Sequence, residues 1–221
     1  LINKEIKDEQ QFEQYTERAY NTPLPEQQEN SIELAASSVS KIELVDHSLD
    51  LTPQGETSLL NALQKSLERG EIHLKYQQLY DKQDSNLYTY EVTSGFIYKN
   101  TWQDITAIRE LADDPEFSIK LDRWILVEAC KQLHNFITQY PDAKIIVNLN
   151  KEVLFSDRSF PEFIAKLITI VGSKQAHPLV LQFSEEDISK NLNDAQKFTA
   201  QLIQSGAEIS LRDFGHSIYS E

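Results

Sequence analysis

Short, continuously apolar segments that alternate with amphipathic ones constrain the fold of this chain more than any other feature. Ile145-Ile146-Val147 and Leu179-Val180-Leu181 are too short for typical helices and contain no polar residue. Strands of this kind are buried on both faces, which is typical of a parallel sheet covered by helices. Amphipathic stretches at 160–171 and 191–204 supply such helices. The second half of the chain is therefore predicted to fold as consecutive βα units.

The remaining periodicity predicts one α/β domain over 54–221, preceded by an acidic, partly helical linker over 1–53. Helices are predicted over 56–69, 102–111 and 121–140, and strands over 72–80, 87–98, 144–149, 179–183 and 207–211. The first 50 residues hold eleven acidic and four basic side chains, and Pro23 and Pro25 interrupt any helix there. A short helix over 3–20 is compatible with this linker, and a helical connector from a preceding domain is the alternative.

Composition excludes several classes of protein. The net charge of −14 argues against a protein that binds the nucleic-acid backbone over a broad surface, because such a protein needs a basic face. No run of 18 apolar residues occurs, so no membrane span is expected in this stretch. The single cysteine, Cys130, excludes a disulfide scaffold and a cysteine zinc site, and it is expected to be a small core residue. These features favour a cytoplasmic protein.

Polar side chains follow three predicted strands at the point where each strand ends. Asn148 and Asn150 follow the first, Ser184 to Glu186 the second, and Arg212 and Asp213 the third. Because the carboxyl ends of parallel strands meet at one edge, these groups are expected to converge on a ligand site. The alternative is that they cap the helices that follow.

Six short motifs occur in an order and at a spacing typical of one protein family. They are Tyr76-Gln77-Gln78-Leu79, Glu91-Val92-Thr93, Leu121-Asp122-Arg123-Trp124, Val147-Asn148-Leu149-Asn150, Leu181-Gln182-Phe183-Ser184-Glu185 and Arg212-Asp213-Phe214-Gly215. From about Ser58 to Glu221 the chain resembles the EAL domain of bacterial cyclic-di-GMP phosphodiesterases. The resemblance implies a TIM-barrel-like (β/α) fold of which the chain holds the first six or so βα units, so the domain is expected to continue beyond Glu221.

The resemblance also implies a metal site and shows how this sequence departs from it. Active members of the family hold Mg²⁺ or Mn²⁺ with residues that correspond here to Glu91, Asn148 and Asp213, together with two further carboxylates. Gln182 and Arg212 stand where those two carboxylates are expected. Hard cations prefer anionic oxygen ligands, and a guanidinium within about 4 Å of a dication costs several kcal/mol at an effective dielectric near 20. No cofactor is therefore expected, and Mg²⁺ or Mn²⁺ would be expected only of an active enzyme.

The function expected from this resemblance is that of a catalytically inactive receptor or scaffold for cyclic-di-GMP that signals to a partner protein. Inactive members of the family that regulate type IV pili and twitching motility behave in this way. The expected nucleotide-binding residues are Gln77, Glu91, Phe96, Asn148, Arg212 and Asp213. Gln77 and Glu91 are expected to bind a guanine or ribose edge, and Arg212 a phosphate. Phe96 or Tyr76 is expected to stack on a base. A homodimer is compatible with the family.

Alternatives to these assignments stay open from the sequence. Arg212 is also expected to fill the abandoned metal site through a salt bridge to Asp213, Glu185 or Glu91, and Phe96 and Tyr76 are equally compatible with core packing. Thr93, and Gly95 where the family has an arginine, favour a protein-interaction module that has lost nucleotide binding. An active phosphodiesterase with unusual ligands is the third alternative.

Overall fold

The structure, a computed structural model, describes residues 53–79 and 88–212. The acidic segment predicted as a linker lies outside this range except for its last residue, and so does the end of the last motif, including Asp213. Within the described residues, no helix combines the length and the apolar character that crossing a membrane requires.

Seven helices and six strands make up the described part of the chain. The helices are α1 (Pro53–Glu68), α2 (Ile105–Arg109), α3 (Pro115–Gln139), α4 (Glu152–Phe155), α5 (Phe160–Val171), α6 (Glu185–Lys190) and α7 (Leu192–Gln204). The strands are β1 (His73–Leu79), β2 (Thr89–Tyr98), β3 (Thr101–Asp104), β4 (Lys144–Asn148), β5 (Leu179–Ser184) and β6 (Glu208–Arg212). From β4 onward, strands and helices alternate as the sequence predicts.

The strands form one sheet in the order β1-β2-β4-β5-β6, and β3 pairs with β2 beside this path. The strands β2, β4, β5 and β6 run parallel, whereas β1 and β3 run antiparallel to β2. The register places Gln77 opposite Glu91, Asn148 opposite Gln182, and Ser184 opposite Arg212. The polar residues at the strand ends therefore lie along one edge of the sheet.

Helices cover the sheet because their apolar faces match its buried strands. The carboxylate of Asp114 accepts the backbone N–H groups of Glu116 and Phe117 at 3.1 and 3.2 Å, and with Pro115 in the first turn this fixes the start of α3. Helix α3 packs against β4 and α5. Its Leu126 and Leu133 are fully buried, and each such side chain contributes roughly 1.5–3 kcal/mol to folding.

The predicted helix over 102–111 is wrong in its first part. Lys99 and Asn100 have φ of 49° and 62°, and they form a two-residue turn that pairs Tyr98 with Thr101. Two consecutive positive φ angles suit the twist of a β-hairpin, so Trp102 lies in β3 and the helix starts only at Ile105. Asn100 belongs to a residue type that tolerates positive φ, but Lys99 does not and the turn contains no glycine, so the prediction missed the hairpin.

Candidate functional site

A cavity of about 670 Å³ opens beside the ends of the parallel strands β4, β5 and β6. All six strands contribute to its lining, through Gln77, Glu91, Asp104, Asn148, Gln182 and Arg212. Asn150, two positions beyond the end of β4, and Ser184, the last residue of β5, line it as well. This volume is within the range of pockets that bind small molecules, which is about 300–1,000 Å³.

One carboxylate oxygen organises the polar groups of this cavity. The side-chain amide of Asn148 donates to Oε1 of Glu91 at 3.3 Å, and Nη1 of Arg212 lies 3.7 Å from the same oxygen. The side chains of Glu91 and Arg212 are 27% and 43% exposed, so solvent screens their attraction in part. Of the three partners expected for Arg212 from the sequence, the structure confirms Glu91.

The side chains at this edge do not fit a hard divalent cation. Glu91 already faces a guanidinium and an amide N–H, and Gln182 offers a neutral oxygen only. In the parts of the chain that the structure describes, no three His, Cys, Asp or Glu side chains come together as metal ligands would. A dication beside Glu91 would meet the charge of Arg212 at close range, which opposes metal binding.

A buried ion pair lies at the same cavity and was not foreseen from the sequence. Nη2 of Arg109 lies 2.5 Å from Oδ1 of Asp122, and the two side chains are 6% and 0% exposed. Oδ2 of Asp122 accepts the backbone N–H of Asn150 at 2.8 Å. Burial raises the pKa of Asp122, while Arg109 and the Asn150 N–H oppose that rise. The pair therefore links α2, α3 and the segment that follows β4.

A signal for this pair was present in the sequence. Ile105, Ile108 and Arg109 have the i, i+3, i+4 spacing of one helix face, and all three are buried. An arginine on an otherwise apolar face requires a buried acceptor. Asp122 is likewise a charged residue on the buried face of the next helix, α3. The helix predicted over 102–111 contains the same spacing, but the spacing alone does not identify Asp122 as the acceptor.

Gly95 lies under the indole of Trp102, which belongs to the neighbouring strand β3. A Cβ atom at position 95 would lie 2.2 Å from Cζ2 of Trp102 and 2.7 Å from the backbone oxygen of Gln103. On its other side, the indole carries the ammonium group of Lys75, 3.9 Å from the ring centroid. The space in which a side chain of residue 95 would project is therefore filled by β3.

A family model for the EAL domain matches residues 60–220. The chain belongs to the EAL domain family. The match covers most of the chain, including all six strands of the sheet. No curated protein matches the sequence.

Solved EAL domains share this fold. The EAL domain of FimX from Pseudomonas aeruginosa, bound to c-di-GMP, has a TM-score of 0.61 and 22% identity over 72% of this chain and 64% of its own. The FimX EAL domain from Xanthomonas citri, in complex with c-diGMP, has a TM-score of 0.60 and 20% identity, and the match covers 72% of this chain and 62% of its own. The LapD S helix-GGDEF-EAL protein of Vibrio cholerae, bound to c-di-GMP, has a TM-score of 0.58 and 14% identity, and the match covers 75% of this chain and 39% of its own. The TIM-barrel-like EAL fold is thus confirmed, and the chain spans less than two thirds of the length of each of these structures.

Of the six predicted nucleotide-binding residues, four line the cavity of this EAL domain, one is buried away from it, and one lies outside the described residues. Gln77, Glu91, Asn148 and Arg212 come together there. Phe96 is fully buried in the hydrophobic core and does not line the cavity, which corrects its expected stacking role to packing. Asp213 lies outside the described residues.

The other expected aromatic and capping roles are decided by packing. Tyr76 packs edge-to-face on Phe136 with 5.6 Å between ring centroids, so it is a core-side aromatic and not a cavity residue. Asn150 performs both expected roles, because it lines the cavity and its Oδ1 accepts the N–H of Glu152 at the start of α4. Ser184 precedes α6 without a side-chain capping bond.

Proposed function

We propose that this EAL domain is a catalytically inactive receptor for cyclic-di-GMP that passes its bound state to a partner protein. The observation that carries the proposal is the position of Arg212, 3.7 Å from Glu91 at the cavity, among groups that suit hydrogen bonding rather than metal coordination. Without a metal to activate water, hydrolysis of a phosphodiester has no nucleophile at this site. The cavity then binds a nucleotide without cleaving it.

The groups around the cavity match the chemistry of a cyclic dinucleotide. The carboxylate of Glu91 accepts N–H groups of a guanine edge, and the amides of Gln77 and Asn148 both donate and accept, so they bind guanine or ribose. Arg212 is exposed enough to turn from Glu91 to a phosphate, which is the acceptor that a guanidinium binds most strongly. FimX EAL domains from two species were solved with c-di-GMP, which supports the choice of ligand.

A second candidate function is supported by the neighbourhood of Gly95. Because Trp102 covers this position, β2 presents no cation to a nucleotide phosphate there. Carboxylates also outnumber guanidinium groups in the lining, since Glu91, Asp104, Glu110, Glu186 and Asp187 face only Arg109 and Arg212. A module that binds a protein partner and no nucleotide is compatible with both features.

Calorimetric titration of cyclic-di-GMP into the full protein separates these functions. We expect micromolar or tighter binding that is the same in EDTA and in Mg²⁺, and no linear pGpG after incubation with Mn²⁺. Absence of heat in both buffers, on folded protein, would favour the interaction module. Production of pGpG would contradict both the receptor and the module and would establish a phosphodiesterase.

A further inference from the structure

The cavity needs a second cation if it is to hold a dianionic ligand without metal. Arg212 is the exposed guanidinium of the lining, and it lies beside Glu91. Asp104 and Glu186 already bind the N–H of Thr106 at 2.8 Å and the ammonium of Lys190 at 2.9 Å, so their charges are partly compensated. One guanidinium still faces two phosphate charges. The remaining cation of the described lining is Arg109.

Arg109 is held in place and has an unused donor. Its side chain is 6% exposed, lines the cavity and forms the ion pair with Asp122 through Nη2. Among the described residues, no group accepts a hydrogen bond from its Nε. A buried N–H without an acceptor is costly, whereas an acceptor brought by a ligand would relieve that cost. Nε itself is buried, but Arg109 lines the cavity, so another part of its guanidinium can meet a ligand oxygen there.

Asp122 orients Arg109 without consuming all of its donors. Oδ1 of Asp122 faces Nη2 of Arg109, and Oδ2 is engaged by the backbone N–H of Asn150. A guanidinium has five N–H groups, so most remain for other acceptors. Because the orientation exists before the ligand arrives, little conformational entropy is lost when the ligand binds.

We infer that Arg109 binds a phosphate of the cyclic dinucleotide and supplies the cation that β2 lacks at Gly95. The inference rests on the proposed receptor function and names a further binding residue of that site. Trp102 excludes a side chain at position 95, whereas α2 begins directly after β3 and brings Arg109 to the same cavity. Arg109 and Arg212 then act on the ligand from α2 and from β6.

The chain contains a matched control for this arginine. Arg123 binds Asp157 through Nε and Nη2, both at 2.8 Å, and the two side chains are 13% and 8% exposed. This pair resembles Arg109–Asp122 in burial and chemistry, but neither residue lines the cavity. Substituting Arg123 therefore reports the cost of losing a buried arginine–aspartate pair without touching the ligand.

The test compares the affinity of cyclic-di-GMP for wild type, Arg109→Gln, Arg109→Lys and Arg123→Gln at two ionic strengths, with folding checked by circular dichroism. We expect Arg109→Gln to bind at least about tenfold more weakly and with a smaller dependence on salt. Arg109→Lys restores part of the affinity because it keeps the charge, and Arg123→Gln lowers the unfolding midpoint while its affinity stays that of wild type.

Three outcomes bear on the inference separately from the proposed function. Folded Arg109→Gln that binds like wild type overturns the inference and leaves the receptor intact. If Arg109→Gln does not fold, the double variant Arg109→Gln/Asp122→Asn removes both buried charges at nearly constant volume, and wild-type affinity in that variant overturns the inference as well. Wild-type protein that binds no cyclic-di-GMP overturns the receptor function itself.

Discussion

Arg212 and Glu91 face each other across the cavity, with 3.7 Å between Nη1 and Oε1, although they are 121 positions apart in the sequence. They belong to β6 and β2, between which β4 and β5 lie in the sheet. The guanidinium of Arg212 thus lies beside Glu91, which corresponds by resemblance to a metal ligand of the family. This relationship determines which changes would convert the site from one that binds an anion into one that binds a cation.

Restoring two carboxylates should create divalent-metal affinity. In Gln182→Glu/Arg212→Asp, the guanidinium disappears and three carboxylates surround Asn148, so we expect Mn²⁺ binding that wild type lacks, measured by calorimetry. The control is Lys197→Asp/Gln201→Glu, which makes the same change of charge on the exposed face of α7. Equal Mn²⁺ affinity in the two variants would mean that net charge, and not the geometry of the cavity, governs the binding.

Removing Arg212 should weaken nucleotide binding without affecting the fold. Arg212→Gln leaves an amide at the exposed end of β6, and a charge-assisted hydrogen bond of about 1.5–3 kcal/mol is lost, which is roughly tenfold or more in affinity. Calorimetry in EDTA measures the affinity for cyclic-di-GMP. The control is Arg158→Gln, because Arg158 is exposed and lies outside the cavity lining. Unchanged affinity in Arg212→Gln would assign Arg212 to filling the space beside Glu91 only.

Much of the fold could be predicted because periodicity is local. The buried strands around Ile145 and Leu181, and the helix over 160–171, follow directly from runs of apolar residues. The hairpin at Lys99 and Asn100 was not predicted, since only Asn100 is a turn former and the pairing of β3 with β2 decides the conformation. Local pattern therefore predicted the parallel half of the sheet better than the antiparallel half.

The candidate site, like the fold, could be predicted from the sequence only in part. Asn148 and Arg212 were predictable as neighbours, because parallel strands place their carboxyl ends together. Glu91 is the third residue of β2, and it was predicted from the family resemblance alone. The role of Phe96 was not predictable, since packing decides which face of β2 is buried. The spacing of Arg109 on its helix indicated a buried acceptor but did not identify Asp122 as that acceptor. Burial of a side chain depends on contacts that no single segment contains.

Loss of Arg109 should make stability depend more strongly on pH through Asp122. Burial already raises the pKa of Asp122, Glu110 adds to the rise, and Arg109 opposes it. In Arg109→Gln the carboxyl pKa rises further, so the folded state favours the protonated form. Its contribution to stability is therefore present below the ordinary pKa of about 3.9 and is lost as pH rises through the folded value.

Urea unfolding at pH 5 and pH 8 measures this effect. We expect Arg109→Gln to lose about 3–5 kcal/mol relative to wild type at pH 8, because a buried charge is left without its partner, and less at pH 5. Arg109→Gln/Asp122→Asn is the control, since it has no titrating group at position 122 and its own stability should not change between the two pH values through that position. A deficit in Arg109→Gln that is equal at the two pH values would show that Asp122 stays ionised without Arg109.

The packing of Trp102 on Gly95 should prevent a simple restoration of a basic residue on β2. Gly95→Arg places a Cβ 2.2 Å from the indole and 2.7 Å from a backbone oxygen, so we expect it to destabilise the protein by about 2–3 kcal/mol in urea unfolding. Trp102→Ala removes the first clash. The substitution Gly95→Arg should therefore cost less free energy of unfolding in the Trp102→Ala background than it does in wild type. An equal cost in the two backgrounds would locate the obstruction in the β3 backbone at Gln103.

Cys130 should be chemically inert in the folded protein. It is fully buried in α3, and burial raises the pKa of its thiol to about 12, so almost no thiolate exists at pH 8. We expect a thiol reagent such as DTNB to react with Cys130 only as fast as the protein unfolds, and within seconds in denaturant. Because Arg123→Gln weakens the contact between α3 and the start of α5, it should accelerate the reaction in proportion to its loss of stability. Rapid labelling of wild type at pH 8 would show that α3 opens locally without global unfolding.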